Sequence, residues 1–303
     1  VGDAIGLVSA KEFTLSPKQQ DLLNGGIVAN PSPRSTEQII NYKLDIVVYN
    51  FRLLDTFGEL NKKIKIHIKF NTGMNRFGFE ENDIAEIKKR INQYPNLKIE
   101  SICSHLSSSR NSKKDQITLN QLKSFEKIIL RIKNKFSIKP LAHILNTNGV
   151  LRFTEHQYNA VRIGIGIFGI HKDKKLTQIG VLSSSISQIR HLKKGDKIGY
   201  DAMFICKKKM KVGIIPFGYA DGLTRQLGNQ KVSLAVNGKL CNIIGNISMD
   251  SCIINLTGSD AEEGDRVEIF GPNNTIDKIC KQTHSIPYEF LSKINRRIKR
   301  IYN

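Results

Sequence analysis

The sequence predicts an α/β unit of parallel strands covered by helices, followed by a second unit that is mostly β. Through the first part, apolar residues switch between a period of two and a period of about 3.6, as strands alternating with helices require. Beyond 172–176 the helical period fades, and short strand-like runs separated by turns follow one another. The chain has 303 residues, and at about 150 residues per domain that length fits two. The expected domains are therefore 1–175 and 176–303.

The elements follow in order. Residues 64–70 (IKIHIKF) put Ile64, Ile66, Ile68 and Phe70 on one face and Lys65, His67 and Lys69 on the other, the alternation of a strand. Residues 82–93 carry Ile84, Ile87 and Ile91 at helical spacing and stop before Pro95. A strand is predicted at 97–105, then a long helix at 114–136 with Ile117, Leu122, Phe125, Ile129, Ile132 and Phe136 on one stripe. Residues 141–145 and 159–163 read as further strands. In the second part, strands are predicted at 181–189, 211–216, 231–236, 239–244, 251–256 and 266–269. Asn237-Gly238 and Gly271-Pro272 serve as turns, and a helix closes the chain at 287–296.

Composition limits the function. No apolar run approaches the ~18 residues of a membrane helix, and residues 1–10 do not read as a secretory signal. The 5 cysteines are widely spaced, with no CxxC pair, which argues against a disulfide scaffold or a zinc finger and for a reducing, cytoplasmic setting. No metal site is expected. The net charge of +20 is spread over short runs at 88–90, 172–175, 207–209 and 296–300, without interleaved stacking aromatics and with no tryptophan. This reads as solvated helix faces, so neither nucleic acid nor membrane is expected as a partner.

Several residues cluster at predicted strand ends. In a barrel of parallel strands, residues at the C-terminal ends of strands face the active site. Lys69 ends one strand with Arg76 a short loop away, His105 ends the next, and Asn146 and Thr147 end another. Arg162 precedes Gly164, Ile165, Gly166 and Gly169 (RIGIGIFG). That segment has the formal spacing of a dinucleotide fingerprint but lacks the helix and the ribose-binding acid. Its bare N–H groups suit a phosphate cradle better. In the second part Gly199-Tyr200, PFGYADG at 216–222, GNISMD at 245–250 (with Met249 and Asp250) and Tyr288-Glu289 stand out.

In order along nearly the whole chain, HIKFNTGMNRFGF, ICSHLSSS, HILNTNGVLRF, NAVRIGIGIFGI, IGYDAMF, VGIIPFGYADGLTR, IIGNISMD and PYEFLSKINRRIKRIY resemble the alanine racemases. Residues 5–31 and 46–54 look like a divergent early barrel of that family. The resemblance implies a (β/α)8 barrel of the TIM type that binds pyridoxal 5'-phosphate (PLP), followed by a β domain. It also implies a homodimer whose active sites combine one subunit's barrel with the other's β domain. The implied reaction interconverts L- and D-alanine by two-base proton transfer, supplying D-alanine for peptidoglycan.

By position, Tyr200 matches the catalytic tyrosine and Arg162 the arginine at the pyridine nitrogen. His105 lies beneath the ring, in contact with both. Arg76 matches the arginine that faces the PLP phenolic oxygen and the substrate carboxylate, and Lys69 a lysine, often carbamylated, that positions it. Asn146, Thr147, Gly164, Ile165 and Tyr288 fall on phosphate and ring contacts. Met249 falls on a residue whose amide meets the substrate carboxylate, with Asp250 beside it.

The chain departs from the family's pattern in places. The lysine that bonds PLP sits in a VKANAYGHG-like motif, and no such motif occurs here. Lys11, in SAKEFTLS, does not match it. The chain begins at Val1 rather than methionine, so it is expected to be a piece of a longer protein. The PLP lysine and the first strand are expected upstream, with the chain alone inactive and a fused cell-wall ligase domain admissible. The alternative is a non-catalytic PLP-binding relative that has lost the lysine. Asn71 replaces the usual aspartate, Thr147 a serine and Ser248 a frequent cysteine, while Arg296 and Lys299 replace the tyrosine and proline of a terminal YRVPR-like stretch.

Overall fold

In a computed structural model the described residues are 7–8, 27–171 and 176–301. Lys11 and the expected boundary stretch 172–175 lie outside them. The chain divides into compact units Val1–Gly164 and Ile165–Asn303, which places the segment after Gly164 with the second unit.

The first unit runs β1 (Leu7–Val8), β2 (Ile27–Val28), α1 (Thr36–Asn41), β3 (Asp45–Val48), α2 (Phe51–Gly58) and β4 (Ile64–Lys69). Then come α3 (Ile84–Gln93), β5 (Leu97–Cys103), α4 (Asp115–Phe136), β6 (Leu141–His143) and α5 (Thr147–Arg152). The strands form a 6-stranded parallel sheet in the order β1-β2-β3-β4-β5-β6. From β2 onward, sequential parallel strands are joined by helical crossovers, the winding of a β/α barrel, so the expected α/β barrel followed by a β domain is observed.

One face of this sheet and the helices share the core. Ile46, Val48, Ile64, Ile66 and Ile68 pack with Leu54 and Phe57 of α2, Ile87 of α3, and Leu122, Phe125, Ile128 and Ile132 of α4. Asn50 caps α2 by accepting the N–H of Leu53 at 2.9 Å, and Ser137 ends α4 in the left-handed region. The predicted α4 stripe packs from Leu122 to Phe136, and departs only at its start, where Ile117 is exposed while Thr118 and Gln121 are buried. The reason is polar, because Gln121 turns inward to bind the loop after β5. Residues 159–163 form no strand. They make a single parallel bridge, Asn146 to Arg162, and one bond each from the Asn159 and Arg162 N–H groups. The Arg162 side chain bonds inward to His143, Ser104 and Ile144.

The second unit, taken by itself, has a hairpin of β9 (Lys197–Ile198) and β10 (Phe204–Ile205). It has a 3-stranded sheet of β8 (Gln188–Leu192), β11 (Met210–Ile215) and β14 (Cys252–Asn255). A 4-stranded sheet holds β7 (Leu182–Ser185), β12 (Ser233–Val236), β13 (Lys239–Asn242) and β15 (Arg266–Phe270). The predicted strand 181–189 is thus two strands in different sheets. The chain crosses over at buried Ile186, whose N–H bonds Asp265 while that of Ser187 bonds Ile214. Helices α6 (Ile276–Lys281) and α7 (Pro287–Lys293) follow, with Pro287 at the first turn of α7. Among the described residues no helix is long and apolar enough to cross a membrane.

Candidate active site

In the first unit the polar side chains gather at the C-terminal ends of the strands, around Arg162. One Arg162 Nη bonds Nδ1 of His143 and, at 3.3 Å, its carbonyl. The other bonds the Ser104 carbonyl, and at 3.3 Å both the Ile144 carbonyl and Nδ1 of His105. No carboxylate pairs with this guanidinium among the described residues. Burial makes it a weaker base than usual. Burial, followed by the charges of Arg162, Arg76 and Lys69, pushes the His105 imidazole down to about 4. Burial, then the Arg162 charge, pushes His143 down to about 3. Both rings are therefore neutral near pH 7, as a ring accepting from an arginine must be.

Lys69, at the end of β4, is half-buried, with its ammonium 5.6 Å from the Phe77 ring centre. Burial lowers its pKa, Arg76 and Arg162 add to the effect, and the Cys103 thiol opposes it. Arg76 is exposed on a loop pinned at its base by the Asn71 N–H to Phe79 and the Phe79 N–H to Lys69. Asn71 organises that loop. Its Oδ1 accepts the N–H groups of Gly73 (3.1 Å) and Asn75 (2.9 Å), and its amide donates to Asn75 and to Glu80 (both 2.9 Å). An aspartate could make the first pair of contacts but would repel Glu80, which accounts for asparagine at this position. Behind the loop, Thr72 and Ser104 hydroxyls meet at 2.7 Å, and Gln121 Nε2 donates to the His105 carbonyl at 3.0 Å.

Asn146 caps α5. It accepts from the Gly149 N–H at 3.0 Å and the Ser109 hydroxyl at 2.8 Å. Thr147 Oγ1 accepts the Gly164 N–H at 3.1 Å. The predicted residues Lys69, His105, Arg162, Asn146, Thr147 and Gly164 thus share one end of the sheet, with Arg76 on the loop above it.

In the second unit the Ile165 N–H donates to the Tyr288 hydroxyl at 3.2 Å. Tyr200 is 69% exposed. It is presented on a short turn in which Gly199, Asp201 and Ala202 all have positive φ, a conformation that side-chain-bearing residues adopt only under constraint. Asn246 supplies part of that constraint, donating to the Tyr200 carbonyl at 3.3 Å. The PFGYADG and NISMD segments close on each other: the Tyr219 N–H bonds Ser248, the Ala220 N–H bonds Met249, and a Cβ on Gly218 would lie 2.3 Å from the Met249 carbonyl oxygen. Met249 is exposed. Asp250 pairs at 2.6 Å with Arg297, which also bonds buried Asp221 at 2.7 Å. Burial alone would raise the Asp221 carboxyl, but Arg297 and the Gly218 N–H hold it below its usual value.

Sequence reasoning missed His143, Ser101, His67, Asp221 and Arg297. The readable signal for the first of these was polar residues at inward positions of strands that are apolar on the other face.

The description "Alanine racemase, N-terminal domain" matches residues 16–172, and "Alanine racemase, C-terminal domain" matches 179–302. An alanine racemase of Helicobacter pylori (strain Shi470) is 31% identical over 298 residues, covering 91% of this chain and 78% of that protein. Alanine racemase 1 of Caldanaerobacter subterraneus is 32% identical over 288 residues, covering 89% and 73%. Among solved structures, alanine racemase from Bacillus anthracis with bound L-Ala-P superposes with a TM-score of 0.82 at 25% identity, covering 90% of this chain and 74% of that one. That of Bartonella henselae with covalently bound pyridoxal phosphate gives 0.81 at 25% identity, covering 92% and 79%.

Proposed function

This chain belongs to the alanine racemase family, and on that premise we propose that it carries the PLP-binding and proton-transfer machinery of an enzyme that interconverts L- and D-alanine. The single observation that carries the reading is Arg162: a guanidinium packed among carbonyls and neutral imidazoles, with no carboxylate among its described partners. Such a group calls for an acceptor from outside the protein, and a pyridine nitrogen is one. The Thr147 hydroxyl beside the Gly164 N–H, next to the Asn146 cap, offers polar groups of the kind that hold a phosphate. These residues fit PLP.

When bound, PLP supplies the electron sink that lets the α-proton of the amino acid leave. The chain's own groups bind, orient and supply the base on one face; the second base, the lysine that bonds PLP, matches no residue of this sequence. Arg162 would donate a hydrogen bond to the ring nitrogen and keep its proton, because a guanidinium stays charged at neutral pH. Neutral His105 stays bonded to Arg162 and adds no second positive charge beneath the ring. Arg76 supplies a planar fork for the substrate carboxylate, and Lys69 steadies it. Tyr200 takes the α-proton on one face or returns it there; its exposure on a constrained turn, next to exposed Met203 and Ile205, supports delivery into the site of a second copy. We assign the chain to a homodimer on this basis, and the product to the supply of D-alanine for peptidoglycan in the cytoplasm. Asn146, engaged as a helix cap, holds the floor of the phosphate site.

Tyr200→Phe tests the reading. In the protein purified from its natural source, the variant should lose about 10²–10⁴-fold in kcat, the usual contribution of one acid–base group, with an unchanged melting temperature. Full activity in Tyr200→Phe would remove the tyrosine from the mechanism. PLP bound without racemisation by the unsubstituted protein would favour the non-catalytic reading.

A further inference from the structure

Four consecutive strands bring polar side chains together on the sheet face turned away from the helices: Asp45 on β3, His67 on β4, Ser101 on β5 and His143 on β6. Together they make an unbroken chain. His67 Nε2 lies 3.4 Å from Asp45 Oδ2, and His67 Nδ1 lies 2.6 Å from Ser101 Oγ. Ser101 Oγ lies 3.0 Å from His143 Nε2, and His143 Nδ1 meets Arg162. His67, Ser101 and His143 are buried, at 6%, 2% and 9% exposure. The sheet register sets up the staircase: His67 is paired with Ser101, and Cys103, two residues on, with His143. The register shift between Ile66 and His67, opposite Glu100, brings Ser101 rather than Glu100 to face His67.

The chemistry of the end groups allows one direction only. A guanidinium has donors and no acceptor, so His143 Nδ1 must accept. Neutral His143 then carries its proton on Nε2 and donates it to Ser101 Oγ. The serine hydroxyl is left to donate to His67 Nδ1. His67 in turn carries its proton on Nε2 and donates to the Asp45 carboxylate. Each donor meets an acceptor, and each ring is held in one tautomer. Aliphatic residues would fill this face without the desolvation cost of four polar groups.

We propose that Asp45, His67 and Ser101 are positioning residues for Arg162: anchored on the Asp45 carboxylate, they hold His143 in the only tautomer that can accept from the guanidinium. The orientation of Arg162 is thereby set from three strands away, at β3. The significance of Arg162 rests on the reading above, but the relay itself is testable without cofactor. The groups facing His143 are Arg162, His67 and Ser101; burial and the Arg162 charge keep it neutral.

The experiment is 15N NMR of the cofactor-free protein labelled at histidine and arginine. His67 and His143 should both show the Nε2–H tautomer, with His143 unchanged from pH 8 to pH 5. In Ser101→Ala, which cuts the chain at its middle, the Arg162 side-chain N–H groups should exchange about tenfold faster, the worth of one buried hydrogen bond. Ser101→Thr, which keeps the hydroxyl, should restore slow exchange. If Ser101→Ala melts early, Asp45→Asn provides the same comparison at the surface end of the relay, again with faster Arg162 exchange expected. An Nδ1–H or charged His143 in the unsubstituted protein would overturn the proposal, as would Arg162 exchange unaltered in folded Ser101→Ala and Asp45→Asn. Loss of racemase activity with these signatures intact would count against the functional reading and leave the relay standing.

Discussion

His105 and His143 are held neutral, at about 4 and about 3, by burial first and then by the Arg162 charge. In an unfolded chain a histidine titrates near 6.5. Below that value the unfolded state binds more protons than the folded one, so stability falls with pH. The contribution is complete above about pH 6.5 and is lost progressively as pH falls toward 4 and then 3, at about 1.4 kcal/mol per pH unit for each group. The urea midpoint should therefore drop between pH 7 and pH 5, and His143→Asn should flatten that slope; a midpoint independent of pH would contradict the neutral assignment. Lys69 points the other way chemically. Its lowered pKa leaves more free amine at neutral pH, and a free amine adds CO2 to give a carbamate and a proton. In 13C-labelled bicarbonate a carbamate carbon signal should appear at pH 7.5 and be absent from Lys69→Arg. Its absence from both proteins would leave Lys69 as an ammonium beside Phe77.

At the scale of elements, the PFGYADG loop and the NISMD turn act as one piece. Gly218 passes under the Met249 carbonyl with no room for a Cβ, and its backbone angles are ordinary, so the constraint is purely steric. Gly218→Ala should cost about 1–3 kcal/mol by overpacking and lower the melting temperature by a few degrees. In the active protein it should also raise the KM for alanine, since Met249 moves with the loop. An unchanged melting curve would mean that the loop and turn are not packed as described. Much at this scale was legible beforehand. The alternation in 64–70, the Asn82–Pro95 helix signals and the long α4 were readable because their apolar periods are regular. The failures have physical causes. His67 read as an outward polar residue, but in a sheet buried on both faces the polar stripe is interior too, and period alone does not distinguish the two. The IDKICK helix sets Ile276, Ile279 and Cys280 at helical spacing and buries all three, but one such repeat in six residues is too little to mark a helix in a sequence. The alternating run 159–163 is held by one bridge because Arg162 turns inward instead of extending a ladder. Arg297 looked like one more positive charge in a basic tail, and only the fold brings it to Asp221 and Asp250.

For the whole molecule, the order of motifs along the chain carried the family, the fold and the residues around Arg162, because each is local in sequence. What the motifs could not show is how Arg162 is held: His67 and His143 each open a quoted segment, but Asp45, His67, Ser101 and His143 come from separate strands, and only the fold joins them. The proposed homodimer should sediment at twice the protomer mass at micromolar concentration, and a monomer retaining full activity would contradict the supply of Tyr200 by a partner. The most direct test of the central claim is to incubate L-alanine in D2O with the protein purified from its natural source, and to follow both handedness and deuterium at the α-carbon. The account predicts D-alanine that carries deuterium at that carbon, with formation lost in Tyr200→Phe. A protein that binds PLP yet leaves L-alanine neither inverted nor deuterated would contradict it.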